Sequence, residues 1–381
     1  MTARPAVLLD ATSMPRRRRG GANYIYHLSR ELSRLPDGPR LVVAARRETE
    51  LDVDTAAGHR VVRIALPTRP LRIAWEHLRL PVLAGTQRVD VLHSPVDTAP
   101  LAPVPARRVL TLHDVTFLRM PGRYGRARAA YYRFVAPRAA RRADLVITVS
   151  ETAKRDIVAL VGLAEERVVV VHNGVAPHLG IPAADEVEAV RARLRLERRY
   201  LCNLATIEPG KNLPTLLRAF GELVRRGHDL DLVLAGGAGW GNGGVEALGG
   251  QLGIAGRVRW PGYVPDELVS PLLGGAACFV NPALYEGFGL PPLEAMACGA
   301  PVVASDTGAH PEVLGDAALL VPPTDVRAIA DAVERVLVDP VLAATLRERG
   351  LRRAAAFTWR VAAERTAEVY ERALARQAVR R

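Results

Sequence analysis

Cysteine is scarce in this chain: Cys202, Cys278 and Cys298 are an odd, scattered set with no metal-type spacing. Each sits among apolar or small residues, which reads as reduced core thiols in a cytosolic protein and excludes a disulfide framework. No apolar run approaches the roughly 18 residues of a membrane-spanning helix. The short apolar stretch at 6–9 is broken by Asp10, so the start is not read as a signal peptide. Internal repeats and low-complexity tracts are also missing. No Gly-x-Gly-x-x-Gly turn follows the first apolar run, and the glycines at 236–239 follow a later one, which excludes a nicotinamide-dependent oxidoreductase. Basic–aromatic alternation and recognised nucleic-acid motifs are lacking too, so a pI near 10.3 is not read as specific nucleic-acid binding.

What is present is the balance of a folded soluble protein, 49% hydrophobic and 24% charged over 381 residues. That length suits two α/β domains better than one core. The charge is uneven. Residues 1–183 hold 29 Lys+Arg against 16 Asp+Glu, and residues 184–381 hold 23 against 24. A basic half beside a neutral half faces a lipid-phosphate surface, a phosphorylated acceptor or a nucleic acid, or else carries solvated arginines.

Short apolar runs alternate with amphipathic stretches along the whole chain. Strands are expected at 6–9, 41–44, 60–64, 90–93, 109–112, 145–149 and 168–171, then at 200–204, 231–235, 258–260, 278–280, 301–304 and 318–321. Several are near-continuous Val/Leu/Ile, the mark of parallel strands buried on both faces. Helical segments include 22–35, 125–142, 151–161 and 212–226, the last with one stripe of Leu213, Leu216, Leu217, Phe220, Leu223 and Val224. A Pro- and Gly-containing stretch at 176–184 reads as a linker between two doubly wound sheets. The expected domains are 1–183 and 184–356. The remainder, 357–381, contains one helix with Ala362, Thr366, Val369, Tyr370 and Ala373 at helical spacing, which fits a strap across both domains or an ordinary closing helix.

Chemistry concentrates in 282–299 (PALYEGFGLPPLEAMACG). Glu286 precedes a Gly-Phe-Gly turn, and Pro291 and Pro292 open a helix that carries Glu294. Gly287 and Gly289 let the backbone approach a ligand, and the amides of the turn form a site for an anion. Taken alone, such a pair of carboxylates more often marks a Gly-Pro loop with one solvated glutamate.

The string as a whole resembles the donor-binding signature of the family 4 retaining glycosyltransferases, whose fold is called GT-B. Other segments match in order: Leu112-His113-Asp114 with Thr116-Phe117-Leu118, 143–154 (ADLVITVSETAK), 170–175 (VVHNGV), Glu208-Pro209-Gly210-Lys211-Asn212-Leu213, and 300–305 (APVVAS) with Pro311-Glu312-Val313. The resemblance implies an α/β protein with two Rossmann-like domains, an N-terminal one for the acceptor and a C-terminal one for the nucleotide-sugar donor, and a terminal helix packed back toward the first.

It also implies roles for residues. Glu294 holds the ribose hydroxyls, Glu286 faces the donor sugar near its anomeric carbon, and the amides of Phe288, Gly289 and Leu290 hold sugar hydroxyls. Lys211, beside Asn212 and supported by Glu208, neutralises the diphosphate. Gly20 and Gly21 bring the first domain's backbone to the phosphates. His113 contacts the donor sugar and Asp114 orients its loop, although a lone histidine at a strand end is more often structural. Where a subgroup of the family carries Glu-Pro-Arg-Lys-Asn, this chain has Gly210, so one cation of the clamp is missing. The run of arginines at 16–19 either compensates, reaches an anionic acceptor, or is solvated.

No Asp-x-Asp cluster lies near the donor segments, so Lys211 and amides are expected to replace a metal, with no cofactor. The implied reaction moves a hexose, from GDP-mannose by likeness of 208–213 and 236–241 to the mannosyl/rhamnosyl branch, to a hydroxyl of a glycan, glycolipid or small molecule, with retention. A lipid-linked or anionic acceptor and peripheral contact of the basic half with the inner face of a membrane fit the charge. A noncatalytic or heteromeric partner on the same fold is the alternative that Gly210 keeps open; a nucleic-acid-binding protein is the remote one.

Overall fold

A computed structural model describes residues 4–14, 21–120, 125–237, 239 and 244–378. The chain divides into two compact units, one of residues up to Gly174 together with those from Thr358 onward, the other Val175–Phe357. The division at Gly174/Val175 falls earlier than the boundary expected at 183/184. Its cause is hydrogen bonding of the linker itself: the Val175 N–H donates to the Phe357 carbonyl at 2.9 Å and the Gly180 N–H to Ser270 Oγ at 3.2 Å. The Pro/Gly-rich segment is therefore part of the second unit.

The first unit is built on β1 (Ala6–Asp10), β2 (Arg40–Arg46), β3 (Arg60–Ile64), β4 (Val91–Ser94), β5 (Arg107–Thr111), β6 (Leu145–Thr148) and β7 (Val168–Val170). They pair in parallel in the order β3-β2-β1-β4-β5-β6-β7. Central strands bury both faces. In β1, Val7 and Leu9 enter one core cluster and Ala6 and Leu8 another, which is why its sequence shows no polar alternation.

The terminal helix Trp359–Ala378 belongs to this unit and packs Trp359, Ala362, Ala363, Val369, Tyr370 and Ala373 into the same cluster as Val7 and Leu9. A buried polar chain ties it down. Tyr370 OH meets His93 Nδ1 at 2.7 Å, His93 Nε2 meets Thr111 Oγ1 at 2.8 Å, and Thr111 Oγ1 meets Tyr24 OH at 3.0 Å. Burial, with His113 nearby, pushes His93 down to about 3, so it stays neutral and each of these buried groups keeps a partner.

The second unit carries β8 (Arg199–Leu204), β9 (Leu230–Ala235), β10 (Val258–Gly262), β11 (Cys278–Asn281), β12 (Val302–Ser305) and β13 (Ala318–Val321). Their order is β10-β9-β8-β11-β12-β13, again parallel. The helix Leu213–Arg225 buries Leu213, Leu216, Leu217, Phe220 and Leu223 against this sheet, the stripe read from the sequence. Chain order reverses direction between β1 and β4 in one unit and between β8 and β11 in the other. In open α/β sheets, ligands bind outside the carboxyl ends of the strands at such reversals.

Gly174 closes the first unit under a tight restraint. A Cβ there would lie 2.1 Å from the Trp359 backbone nitrogen and 2.4 Å from the Thr358 carbonyl carbon. Gly174→Ala is expected to cost about 1–3 kcal/mol of stability through forced backbone displacement. Gly180→Ala, where a Cβ meets nothing within 4 Å, serves as control. Equal melting temperatures for the two variants would refute the packing argument.

Candidate active site

At the β8/β11 reversal, two loops leave neighbouring strands and meet. The loop after β8 makes a single 3-10 turn, Pro209–Lys211, and Asn212 then takes a left-handed conformation, φ 57°, to open the next helix. The Asn212 side chain is fully committed. Its amide donates to the carbonyls of Pro282 at 3.1 Å and Pro323 at 2.6 Å, while its oxygen accepts from Thr215 Oγ1 at 2.7 Å. Asn212 therefore ties the Lys211 turn to the loop after β11.

The same tie brings Lys211 and Glu286 together: Nζ lies 2.5 Å from Oε1, with the two side chains 13% and 12% exposed. Lys211 is thus not an isolated cation. An ammonium carries three donors, so it can hold Glu286 and still offer N–H groups to a phosphate oxygen. Glu208 is buried, and its carbonyl accepts the Lys211 N–H at 3.0 Å. Gly210 is buried in the 3-10 turn and is not in a left-handed conformation, so a side chain there meets no backbone penalty of that kind.

Beyond Glu286 the chain turns at Gly289, φ 91°, which is the N-cap of the helix Leu290–Ala297. Phe288 is buried, its ring 5.8 Å from that of Phe357. Leu290 opens the helix and is followed by Pro291 and Pro292, which carry no N–H, so of the first three helical positions only Leu290 offers an amide to an oxygen ligand. The segment 305–310 supports this turn from below. A Cβ on Gly308 would sit 2.5 Å from the Glu286 carbonyl oxygen, and the Ala309 N–H donates to that oxygen at 2.9 Å.

His310 was not anticipated from the sequence. It is fully buried, its Nδ1 lies 3.1 Å from the Ser305 carbonyl and 2.9 Å from Ser305 Oγ, and its other edge fills the space a Gly289 side chain would need. Because a carbonyl only accepts, Nδ1 carries the proton. Burial lowers its pKa, and the imidazole wedges the Gly289 turn as a neutral group.

Glu294 lies on the helix after the turn. Burial, and then Asp266, raise its carboxyl to about 7. Among the described residues, no group of three His, Cys, Asp or Glu side chains could hold a metal ion.

In the first unit, His113 follows β5. Its backbone N–H donates to Asp97 Oδ1 at 3.0 Å, and its Nε2–H donates to the Pro95 carbonyl at 3.2 Å. Tyr24 approaches its ring edge-on at 4.7 Å. Gly21 is beside it, since a Cβ there would be 4.0 Å from Nε2. Asp114 accepts from the Thr116 N–H at 2.8 Å and from its hydroxyl, so it caps the following turn. The carboxylate that holds the His113 backbone is Asp97, in a left-handed conformation at φ 49° and raised by burial to about 6. Gly20 and residues 16–19 lie outside the described residues.

Comparisons with known proteins identify the family and the fold. The family model described as Glycosyltransferase Family 4 matches residues 18–179, and that for Glycosyl transferases group 1 matches residues 186–353. The O-antigen chain mannosyltransferase B of Escherichia coli is 33% identical over 70% of this chain and 70% of its own length. The chain belongs to the family 4 glycosyltransferases. The MMP alpha-(1->4)-mannosyltransferase of Mycolicibacterium hassiacum is 36% identical, over 65% of this chain and 59% of its own. Among solved structures, sucrose-phosphate synthase from Thermosynechococcus elongatus superposes with a TM-score of 0.79 at 21% identity, covering 98% of this chain and 100% of that one. Anabaena Alr3699/HepE in complex with UDP-glucose gives 0.77 at 18%, covering 96% and 99%. The two parallel sheets of this family 4 glycosyltransferase are those of the GT-B fold, and the chain is a nucleotide-sugar glycosyltransferase.

A ribose held by Glu294, the role the resemblance implies, would make binding depend on pH. Ribose hydroxyls donate, so the ionised carboxylate is the better acceptor. Because the folded pKa lies above the ordinary 4.5, ionisation costs folded stability as pH rises through about 7. Affinity for a nucleotide sugar, whose diphosphate diester does not titrate near neutrality, is expected to rise between pH 6 and 8, and Glu294→Gln should flatten that rise. Calorimetry at both pH values measures it; an unchanged slope in the variant removes Glu294 from nucleotide binding.

Proposed function

We propose that this glycosyltransferase moves mannose from GDP-mannose to a hydroxyl of a glycan or glycolipid, with retention of anomeric configuration and without a metal ion. The observation that carries this reading is the Lys211–Glu286 pair beside the Gly289 turn at the β8/β11 reversal. The mannosyl donor is supported by mannosyltransferases among the relatives.

In this reading Glu294 holds the ribose, and the amides of Phe288, Gly289 and Leu290 hold the sugar hydroxyls. The Lys211 ammonium keeps Glu286 in place and takes on the negative charge that grows on the diphosphate as the glycosidic bond breaks. The Glu286 carboxylate stabilises the positive charge that develops at the anomeric carbon, an interaction made only in the transition state. The acceptor oxygen attacks from the face the diphosphate leaves, and the leaving phosphate oxygen takes its proton. No helix among the described residues is long and apolar enough to cross a membrane. The basic first unit is proposed to meet an anionic membrane face, where a lipid-linked acceptor is presented.

Lys211→Ala is expected to lower turnover by about 10²–10³-fold, the usual loss of one preorganised charge-stabilising group. Glu286→Gln should lower turnover more than it weakens donor binding. Single-turnover and binding measurements with GDP-, UDP- and dTDP-sugars test both, and repeating them with a chelator tests metal independence. Parental turnover in Lys211→Ala, or activity that returns only with added metal, contradicts the proposal.

A further inference from the structure

The helix Arg69–Leu78 is turned inside out. Leu71, Ala74, Trp75 and Leu78 recur at helical spacing, and Val82 on the next helix, Leu80–Thr86, continues the stripe. A helix on a soluble protein normally buries such a stripe and leaves its charges in water. Here Leu71, Leu78 and Val82 are 52%, 69% and 54% exposed, whereas Glu76 is 1% exposed. Its partner Arg72, 2.6 Å away, has a side chain only 12% exposed. Single exposed leucines need no explanation, but a contiguous apolar stripe marks a surface that another molecule covers.

The stripe borders a groove. β3 is the outermost strand of the first sheet, and strand alternation puts Val62 and Ile64 on one of its faces. Trp75, Val82 and Leu83 stand against them, and the groove so formed has a volume of about 320 Å³. Its walls are hydrocarbon except at Arg79 and Thr86. Arg79 is exposed, and among the described residues no ion pair engages its guanidinium. The carboxylate one turn before it, Glu76, is held by Arg72.

Size and charge select the occupant. Small-molecule sites begin at about 300 Å³. A partner helix, about 10 Å across, would fill this groove with less than one turn. A second copy presenting the same face would set like charges together. A hydrocarbon chain matches the apolar walls, and an anionic head matches the unpaired Arg79.

We infer that this groove binds a single-chain lipid with a phosphate head, an alkyl or prenyl phosphate. The chain lies along Val62, Ile64, Trp75 and Leu83, and the head meets Arg79. The inference rests on the proposed function only for the membrane face at which such a lipid is met, and the donor loops take no part in it.

The test uses the full chain and n-dodecyl phosphate, kept below its micelle concentration, with binding followed by calorimetry. Dodecyl phosphate should bind, and inorganic phosphate should not bind measurably. Dodecyl maltoside should bind about 2–5-fold more weakly, the worth of one exposed ion pair. Arg79→Gln should abolish that preference and leave dodecyl maltoside unchanged. Val82→Glu should weaken dodecyl phosphate by about tenfold, since it removes apolar wall and sets a charge against the chain. Both side chains are exposed, so neither variant should lower the melting temperature. Val341→Glu, which alters a valine 74% exposed in the second unit, should bind as the parent does. No binding of dodecyl phosphate, equal affinity in Val82→Glu and parent, or inorganic phosphate bound as tightly overturns the inference. So does a dimer that Val82→Glu dissolves, which would assign the stripe to a second copy. Flotation with phosphatidylglycerol vesicles is read on the same proteins. Vesicle binding without dodecyl phosphate binding keeps the proposed membrane contact and removes this site. Dodecyl phosphate binding without flotation keeps the site and removes the membrane contact.

Discussion

A lysine ammonium and a glutamate carboxylate, 75 residues apart in the chain, meet at 2.5 Å with little exposure to water. Neither charge is stable alone in that setting, because a buried ion without its partner costs several kcal/mol. Much of the second unit serves to make the meeting possible. Asn212 ties the two loops together, Gly308 leaves room for the Glu286 backbone, and His310 fills the space below Gly289. The pair thus sets the spacing of the whole turn that carries the amides of residues 288–290. The ammonium's three donors let Lys211 hold Glu286 and keep capacity for a further acceptor.

The first unit is organised by a different constraint. Its terminal helix is held by burial of Trp359 and Tyr370 and by the chain of hydrogen bonds through His93 and Thr111 to Tyr24, whose ring abuts His113. A helix at the end of the sequence is thereby connected to a candidate site residue by three hydrogen bonds and one ring contact. Both units place their polar groups at the reversal of strand order, one rich in a matched ion pair, the other in carboxyl and hydroxyl groups.

Strand positions were legible because central parallel strands are buried on both faces and appear as uninterrupted Val/Leu/Ile. The helix Arg69–Leu78 was not read, although Leu71, Ala74, Trp75 and Leu78 recur at helical spacing; it is short, and the residue it buries is the charged Glu76 rather than that stripe. The Glu286–Glu294 loop was legible through its Gly and Pro residues, whose backbone consequences are local. Contacts between distant residues were not. Asp97 and His310 look like ordinary turn residues in sequence, and the left-handed cap at Asn212 is a property of the fold. One signal was available and unused. Lys154 and Lys211 are the only lysines in a chain that otherwise uses arginine, which sets 211 apart as a compact ammonium rather than a guanidinium.

The central claim is that Lys211 and Glu286 stabilise a same-face displacement at the anomeric carbon. Proton NMR of the first-formed product, recorded with GDP-α-mannose and a purified acceptor before any equilibration, reads the configuration directly. The account predicts an α-mannosidic product. A β-mannosidic product would mean attack from the opposite face, and would contradict the roles given to both residues.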